Sequence, residues 1–118
     1  MHPNHQIAVN WFKAFNEHQL ENLLSLYHDD AEHYSPKLKL KMPETNGLIK
    51  GKKALQFWWA DAFERLPKLH YKINNIIAND EFVFMEYIRT TPNEPDLQVG
   101  EVLVIKEGKI VASRVYHS

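Results

Sequence analysis

From residue 69 onward the chain alternates β-rich runs with short turn segments. This pattern constrains the fold more than any other stretch. Strands are expected over 69–78, 81–91, 97–106 and 109–117, where β-branched and aromatic residues dominate. The separators Asn79-Asp80, Pro92-Asn93-Glu94-Pro95-Asp96 and Glu107-Gly108 are turn-formers. Neighbouring strands joined so briefly pair as hairpins, which makes a mostly antiparallel sheet.

Helical periodicity is confined to the first part of the chain. Ile7, Ala8, Trp11, Phe12 and Phe15 form one stripe of a helix over 5–18, with Asn4 as its expected N-cap. A shorter helix covers about 20–27 and is expected to break at Asp29-Asp30, followed by an extended segment from Ala31 to Ser35. The clearest helix is 52–66, where Leu55, Trp58, Trp59, Ala62, Phe63 and Leu66 keep helical spacing up to Pro67. Residues 36–50 are irregular. The strict alternation Lys37-Leu38-Lys39-Leu40-Lys41 suits an exposed edge strand, a solvated loop is the commoner outcome, and a lid over a pocket is the sharper alternative. Three helices gathered ahead of a run of strands define an α+β fold, expected to be a single domain over 1–118.

Composition removes several functional classes. With 14 basic and 15 acidic side chains and a formal net charge of -1, no concentrated basic face is expected, hence no nucleic-acid partner. The chain has no cysteine, which excludes thiolate nucleophiles, disulfides and cysteine-ligated zinc. No apolar run nears the ~20 residues of a membrane span, and the opening residues lack a basic, then apolar, leader pattern. Membrane association is therefore not expected, and cytoplasmic residence is. GxSxG, P-loop and GxGxxG patterns are absent, which disfavours serine-nucleophile and nucleotide-dependent enzymes. His28-Asp29-Asp30-Ala31-Glu32-His33 superficially suggests metal ligands. It spans a helix end and a strand start without HExxH spacing, so no metal is assigned, and Asp29-Asp30 is read as turn chemistry.

Several stretches resemble the SnoaL-like branch of the nuclear transport factor 2-like superfamily. They are Trp11-Phe12-x-x-Phe15-Asn16, then Leu20-Glu21-x-Leu23-Leu24-x-Leu26-Tyr27-x-Asp29-Asp30-Ala31. Ile49-Lys50-Gly51-Lys52-x-Ala54-Leu55 opens an aromatic helix, and Gly108-Lys109-Ile110 precedes Arg114 and Tyr116. The resemblance spans nearly the whole chain. It implies a cone-shaped curved sheet with helices enclosing a pocket, and often a homodimer. It does not imply one reaction, since the family includes isomerases, epoxide hydrolases, cyclases, dehydratases and proteins of no known activity. The aspartate–arginine–aspartate set of the epoxide hydrolases and the tyrosine with two aspartates of the ketosteroid isomerases find no residue-by-residue match here.

Glu101 is the most informative polar residue. It shares a strand face with Leu97, Val99, Leu103 and Ile105, where a carboxylate is costly unless it is paired or borders a wet cavity. It is the candidate general acid or base. Arg114 and Tyr116 are expected together on one face of the last strand, Arg114 to tune or pair with Glu101, and Tyr116 or Tyr87 is the expected donor to a developing oxyanion. On that reading Val111, Ser113, Val115 and His117 lie on the opposite face of that strand. On the 81–91 strand, either Glu86 or the Tyr87/Arg89 pair faces inward, and of His33 and Tyr34 only one does. Phe15, Tyr27, His33, Tyr34, Trp58, Trp59, Phe63 and Tyr87 are the candidate ligand-binding residues. An aromatic stripe at helical spacing is more often core than ligand platform, and a cone permits both. The expectation is a cofactor-independent site for a small apolar or aromatic molecule. The rival readings are a non-catalytic binding module and an association domain.

Overall fold

The computed structural model describes residues 2–117, which form four α-helices, one short 3-10 turn and six strands. Helix α1 is Pro3–Asn16 and α2 is Leu20–Ser25. Strand β1, Tyr27–Tyr34, leads to α3, Pro36–Lys41, and through the 3-10 turn Pro43–Thr45 to β2, Leu48–Lys50. Helix α4 is Lys52–Arg65, followed by β3 (His70–Ala78), β4 (Phe82–Thr90), β5 (Leu97–Lys106) and β6 (Lys109–His117). The strands lie in one sheet in the order β2-β1-β6-β5-β4-β3. All pairs are antiparallel except β1 with β6, which joins the first half of the chain to the last strand.

Register shifts break the β1–β6, β3–β4 and β5–β6 ladders. Each irregularity bends its strand and increases local twist, which curves the sheet around its inner face. That face is closed by α1, α2 and α4. Trp11, Phe12 and Phe15 of α1, Leu23 of α2, and Leu55 and Trp59 of α4 are all 3% exposed or less. They pack against Val83, Met85, Leu103 and Ile110 of the sheet, which are fully buried. The β5–β6 turn is as read from sequence. Glu107 and Gly108 both take positive φ, 51° and 78°, as a two-residue hairpin of matching twist requires.

Four local expectations need correction. His2, not Asn4, caps α1: its Nδ1 accepts from the Asn4 backbone N–H at 3.0 Å, with Pro3 at the first helical position. Asn4 is buried and donates from Nδ2 to the carbonyls of Asn79 and Asp80, pinning the β3–β4 turn. Helix α2 stops at Ser25, and Tyr27 opens β1. Asp29-Asp30 therefore does not break a helix; it lies exposed within β1 where the pairing with β6 is interrupted. The alternating Lys37–Lys41 segment is neither strand nor loop but helix α3. Ser35 Oγ accepts from the Lys37 N–H and Pro36 sits at the first position, a start signal that outweighs the two-residue alternation. On a helix, residues two apart diverge, so Leu38 is fully buried while Leu40 is 81% exposed.

Candidate functional site

Alternation along β4 and β5 places polar groups beneath the helices. Val83, Met85, Tyr87 and Arg89 face inward, and across the ladder Tyr87 sits opposite Val99 and Met85 opposite Glu101. Glu101 is 1% exposed and Tyr87 is 2% exposed. The Tyr87 hydroxyl donates to Glu101 Oε1 at 2.7 Å. Glu101 Oε2 is buried with no hydrogen-bond partner among the described residues. Burial disfavours the ionised carboxylate and pushes its pKa up to about 7, while the Tyr87 hydrogen bond pulls the other way. Burial first, then the nearby Glu101 charge, raises the Tyr87 hydroxyl well above its ordinary value, so it stays a donor at neutral pH. Tyr71 stacks on Tyr87 at 4.2 Å and on Phe15 at 4.0 Å, which locks this wall.

A second polar group crosses the sheet at β1 and β6. The Trp11 indole N–H donates to the Tyr27 hydroxyl at 3.1 Å, and Tyr27 donates to Ser113 Oγ at 3.0 Å. Ser113 Oγ lies 2.7 Å from His33 Nδ1. His33 is 3% exposed, and its burial pushes the imidazole pKa down to about 4, leaving it neutral near pH 7. Trp59 packs against its ring at 5.3 Å.

Both groups border one cavity of about 330 Å³, within the range of small-molecule sites. Aromatic rings of Trp11, Phe15, Trp58, Trp59, Tyr71 and Tyr87 dominate its lining. Toward solvent the lining turns cationic, with Lys37, Lys41 and Arg65, and the buried Arg89 adds a further positive group. Arg89 donates to Glu94 at 2.8 Å, and Lys41 and Arg65 share Asp61 at 3.2 and 2.8 Å. Arg89, nine-tenths buried, lowers the Glu94 pKa through that hydrogen bond. Among the described residues no three of His, Asp and Glu gather as metal ligands would.

Of the residues singled out from sequence, Glu101, Phe15, His33, Trp58, Trp59 and Tyr87 line the cavity. Tyr27, Tyr34 and Phe63 do not. Tyr27 is buried one layer behind, bonded to Trp11 and Ser113. Phe63 packs against Phe15 and His18 at 5.1 and 4.3 Å. Tyr34 alternates away from His33 and stacks with Tyr116 at 6.3 Å on the other face. The β4 alternative resolves to Tyr87 and Arg89, with Glu86 outside. Arg114 and Tyr116 are not brought to Glu101. Ile105 pairs with Ile110 but Val104 pairs with Ala112, so Val111 is an extra residue that reverses the phase of the rest of β6. Ser113, Val115 and His117 thereby turn inward, and Tyr116 is 53% exposed on the outer face. Sequence reasoning missed Trp11, Tyr71, Ser113 and His117 as site residues. The excess of apolar residues on α1 could have pointed to Trp11; an unpaired bulge residue leaves no mark in a periodic pattern.

A curved sheet with helices across its inner face and a polar group at the base of an aromatic cavity defines an α+β cone. The chain belongs to the SnoaL-like domain family, whose model matches residues 8–113. Its fold is similar to that of a SnoaL-like protein of unknown function from Burkholderia thailandensis, at 24% identity over 96% of this chain and 92% of that one, TM-score 0.84. A cystatin-fold protein from Novosphingobium aromaticivorans superposes with TM-score 0.80, at 20% identity over 96% of this chain and 97% of the other. A protein from Kribbella flavida provisionally named a ketosteroid isomerase gives TM-score 0.79 at 14% identity over 98% and 78% of the two chains. No curated protein matches the sequence.

Proposed function

We propose that the cavity binds a small, largely apolar organic molecule and that Glu101 exchanges a proton with it, in a cofactor-independent isomerisation, cyclisation or dehydration. The observation that carries this reading is the Glu101 carboxyl: almost fully buried, bordering an aromatic cavity, with Oε2 unpartnered. A carboxyl with pKa about 7 is poised to take and return a proton near neutral pH. Tyr87 holds Oε1, which leaves Oε2 for the reacting C–H. The carboxylate removes a proton from carbon next to an electron-withdrawing group, the electron pair moves onto that group, and the same carboxyl returns the proton elsewhere. Tyr87 spends its one hydroxyl hydrogen on Glu101, so it orients the carboxyl rather than serving as the donor to a developing oxyanion.

The test is deuterium exchange. Enolisable ketones such as cyclohexanone and acetophenone are incubated in D2O with the protein, and loss of α-proton signal is followed by NMR. Wild type should accelerate exchange, and Glu101→Gln should lose at least about a hundredfold of it while staying folded. Binding without exchange in wild type would favour the non-catalytic binding module. Neither binding nor exchange, with no ligand retained in native mass spectrometry, would sink the reading.

A homodimer belongs to the same proposal. Phe82, Phe84 and Ile77 lie on the outer sheet face at 42%, 37% and 58% exposure, an apolar patch of the kind that a second copy covers.

A further inference from the structure

The hydrogen-bond chain running from Trp11 to His33 has a direction, and the direction decides what His33 offers the cavity. An indole N–H is a donor only, so Trp11 must donate to Tyr27. Tyr27 is 1% exposed, and among the described residues its hydroxyl hydrogen has one acceptor, Ser113 Oγ. Ser113 is fully buried, and the remaining partner for its own hydrogen is His33 Nδ1 at 2.7 Å. With that polarity every hydrogen between the Trp11 indole and His33 Nδ1 meets an acceptor. Any other arrangement leaves an orphan. If His33 Nδ1–H donated to Ser113, then either the Ser113 or the Tyr27 hydrogen would be buried without an acceptor, at a cost of about 1–3 kcal/mol.

We propose that His33 is fixed as the neutral tautomer carrying hydrogen on Nε2, and that it donates this hydrogen to a carbonyl oxygen of the ligand. This rests on the reading of the cavity as a ligand site. The ring lines the cavity, Nδ1 is committed to Ser113, and Trp59 holds the ring plane. Burial keeps the imidazole uncharged around neutral pH, as a donor that does not itself transfer its proton requires. His33 pairs with Ser113 across β6, and Glu101 pairs with Val115, one inward position further on. The two groups therefore stand about 12 Å apart at the backbone by ordinary strand spacing, and both side chains border the one cavity. A donor at one side and a proton acceptor at the other select a carbonyl compound with an acidic C–H. A plain hydrocarbon would leave both groups unanswered.

The tautomer is read directly from long-range 1H–15N correlation spectra of 15N-histidine-labelled protein at pH 7. The expected spectrum shows His33 protonated on Nε2 and not on Nδ1. Tyr27→Phe should leave that state intact, because Ser113 still donates to Nδ1, whereas Ser113→Ala should release a mixture of tautomers. Protonated Nδ1 in wild type would overturn the proposal. For the ligand role, acetophenone and ethylbenzene are titrated in parallel. Acetophenone should bind about tenfold tighter and shift the Nε2 proton, and His33→Phe should erase that preference. Equal affinities in wild type would overturn the donor role while leaving the cavity reading standing. Binding of neither probe at millimolar concentration would overturn the cavity reading and the ligand role with it.

Discussion

The two faces of the sheet reverse the ordinary arrangement of a small domain. The inner face, under the helices, carries Glu101, Tyr87, Arg89, Ser113 and His33 among its buried residues. The outer face carries exposed Phe82, Phe84, Ile77 and Tyr116. Gly100 on that face lies beneath the Phe84 ring, which a Cβ there would meet at 3.2 Å. Desolvating a carboxyl, an imidazole and a hydroxyl on the inner face works against folding unless each finds partners. Exposing phenylalanines on the outer face works against solubility unless something covers them. Both departures point away from a chain selected for stability alone. The inner one points to a ligand, the outer one to another protein surface.

The largest expected effect is on the helix that roofs the inner face. Trp59 is 3% exposed and packs against Tyr27 and His33 at 5.0 and 5.3 Å. Trp59→Ala should cost roughly 3–5 kcal/mol by denaturant titration, a large part of a small domain's stability. Trp58 is only partly buried, and its replacement by Ala should cost clearly less. Equal losses at the two positions would mean that α4 is rotated from the orientation described.

Next comes the pH dependence of stability, where two inner-face groups oppose one another. The folded state raises the Glu101 pKa from 4.5 to about 7, so between these values folded protein binds the extra proton and stability falls as pH rises. The folded state lowers the His33 pKa from 6.5 to about 4, so between these values the unfolded chain binds the extra proton and stability rises with pH. Each slope is about 1.4 kcal/mol per pH unit, and the two windows overlap over much of pH 4.5 to 6.5. In wild type these contributions should nearly cancel there. Glu101→Gln should uncover the rising slope of His33, and His33→Phe the falling slope of Glu101. Equilibrium unfolding at half-unit pH steps checks this without any ligand. Unchanged slopes in both variants would show that neither group is desolvated as described.

Much of this architecture was legible in the sequence. The hairpin strands and α4 carry strong periodicity and explicit turn residues, and Glu101 stands out in the sequence because the rest of its strand face, Leu97, Val99, Leu103 and Ile105, is apolar; the last three are buried with it. What failed to show was phase. A strand's facing is inferred by counting in twos, and the unpaired Val111 breaks the count without any change in composition. Helix α3 escaped for a related reason: its Lys-Leu alternation imitates a strand, and the Ser35-Pro36 start signal covers two residues only. Ser113 was read as pointing away from the site, yet it links Tyr27 to His33.

A smaller effect belongs to the outer face. If a second copy covers Phe84 and Phe82, wild type should sediment as a dimer at tens of micromolar, where interfaces of ordinary size persist. Phe84→Lys should shift it toward monomer and leave ligand-free tautomer spectra of His33 unchanged. A wild-type chain that is strictly monomeric would leave the outer face without its expected cover.

The smallest effect is the one that tests the bulge itself. Arg114 and Tyr116 follow Val111 and face outward, Arg114 opposite Val102 and Tyr116 opposite Gly100. Were β6 in unbroken register, both side chains would point to the cavity and their removal would disturb Glu101. With the bulge, Tyr116→Phe removes only a hydroxyl from a half-exposed ring, and Arg114→Ala trims a partly exposed side chain. Each should change stability by no more than about 0.5 kcal/mol. Neither should alter the pH slope assigned to Glu101 or the exchange of ketone α-protons. The informative contrast is Ser113→Ala, one residue before Arg114, which should change the His33 tautomer while Arg114→Ala does not. If Arg114→Ala or Tyr116→Phe shifted the Glu101 titration by a full unit, the last strand would have the phase that simple alternation predicts. The chain from Trp11 to His33 would then be broken at Ser113.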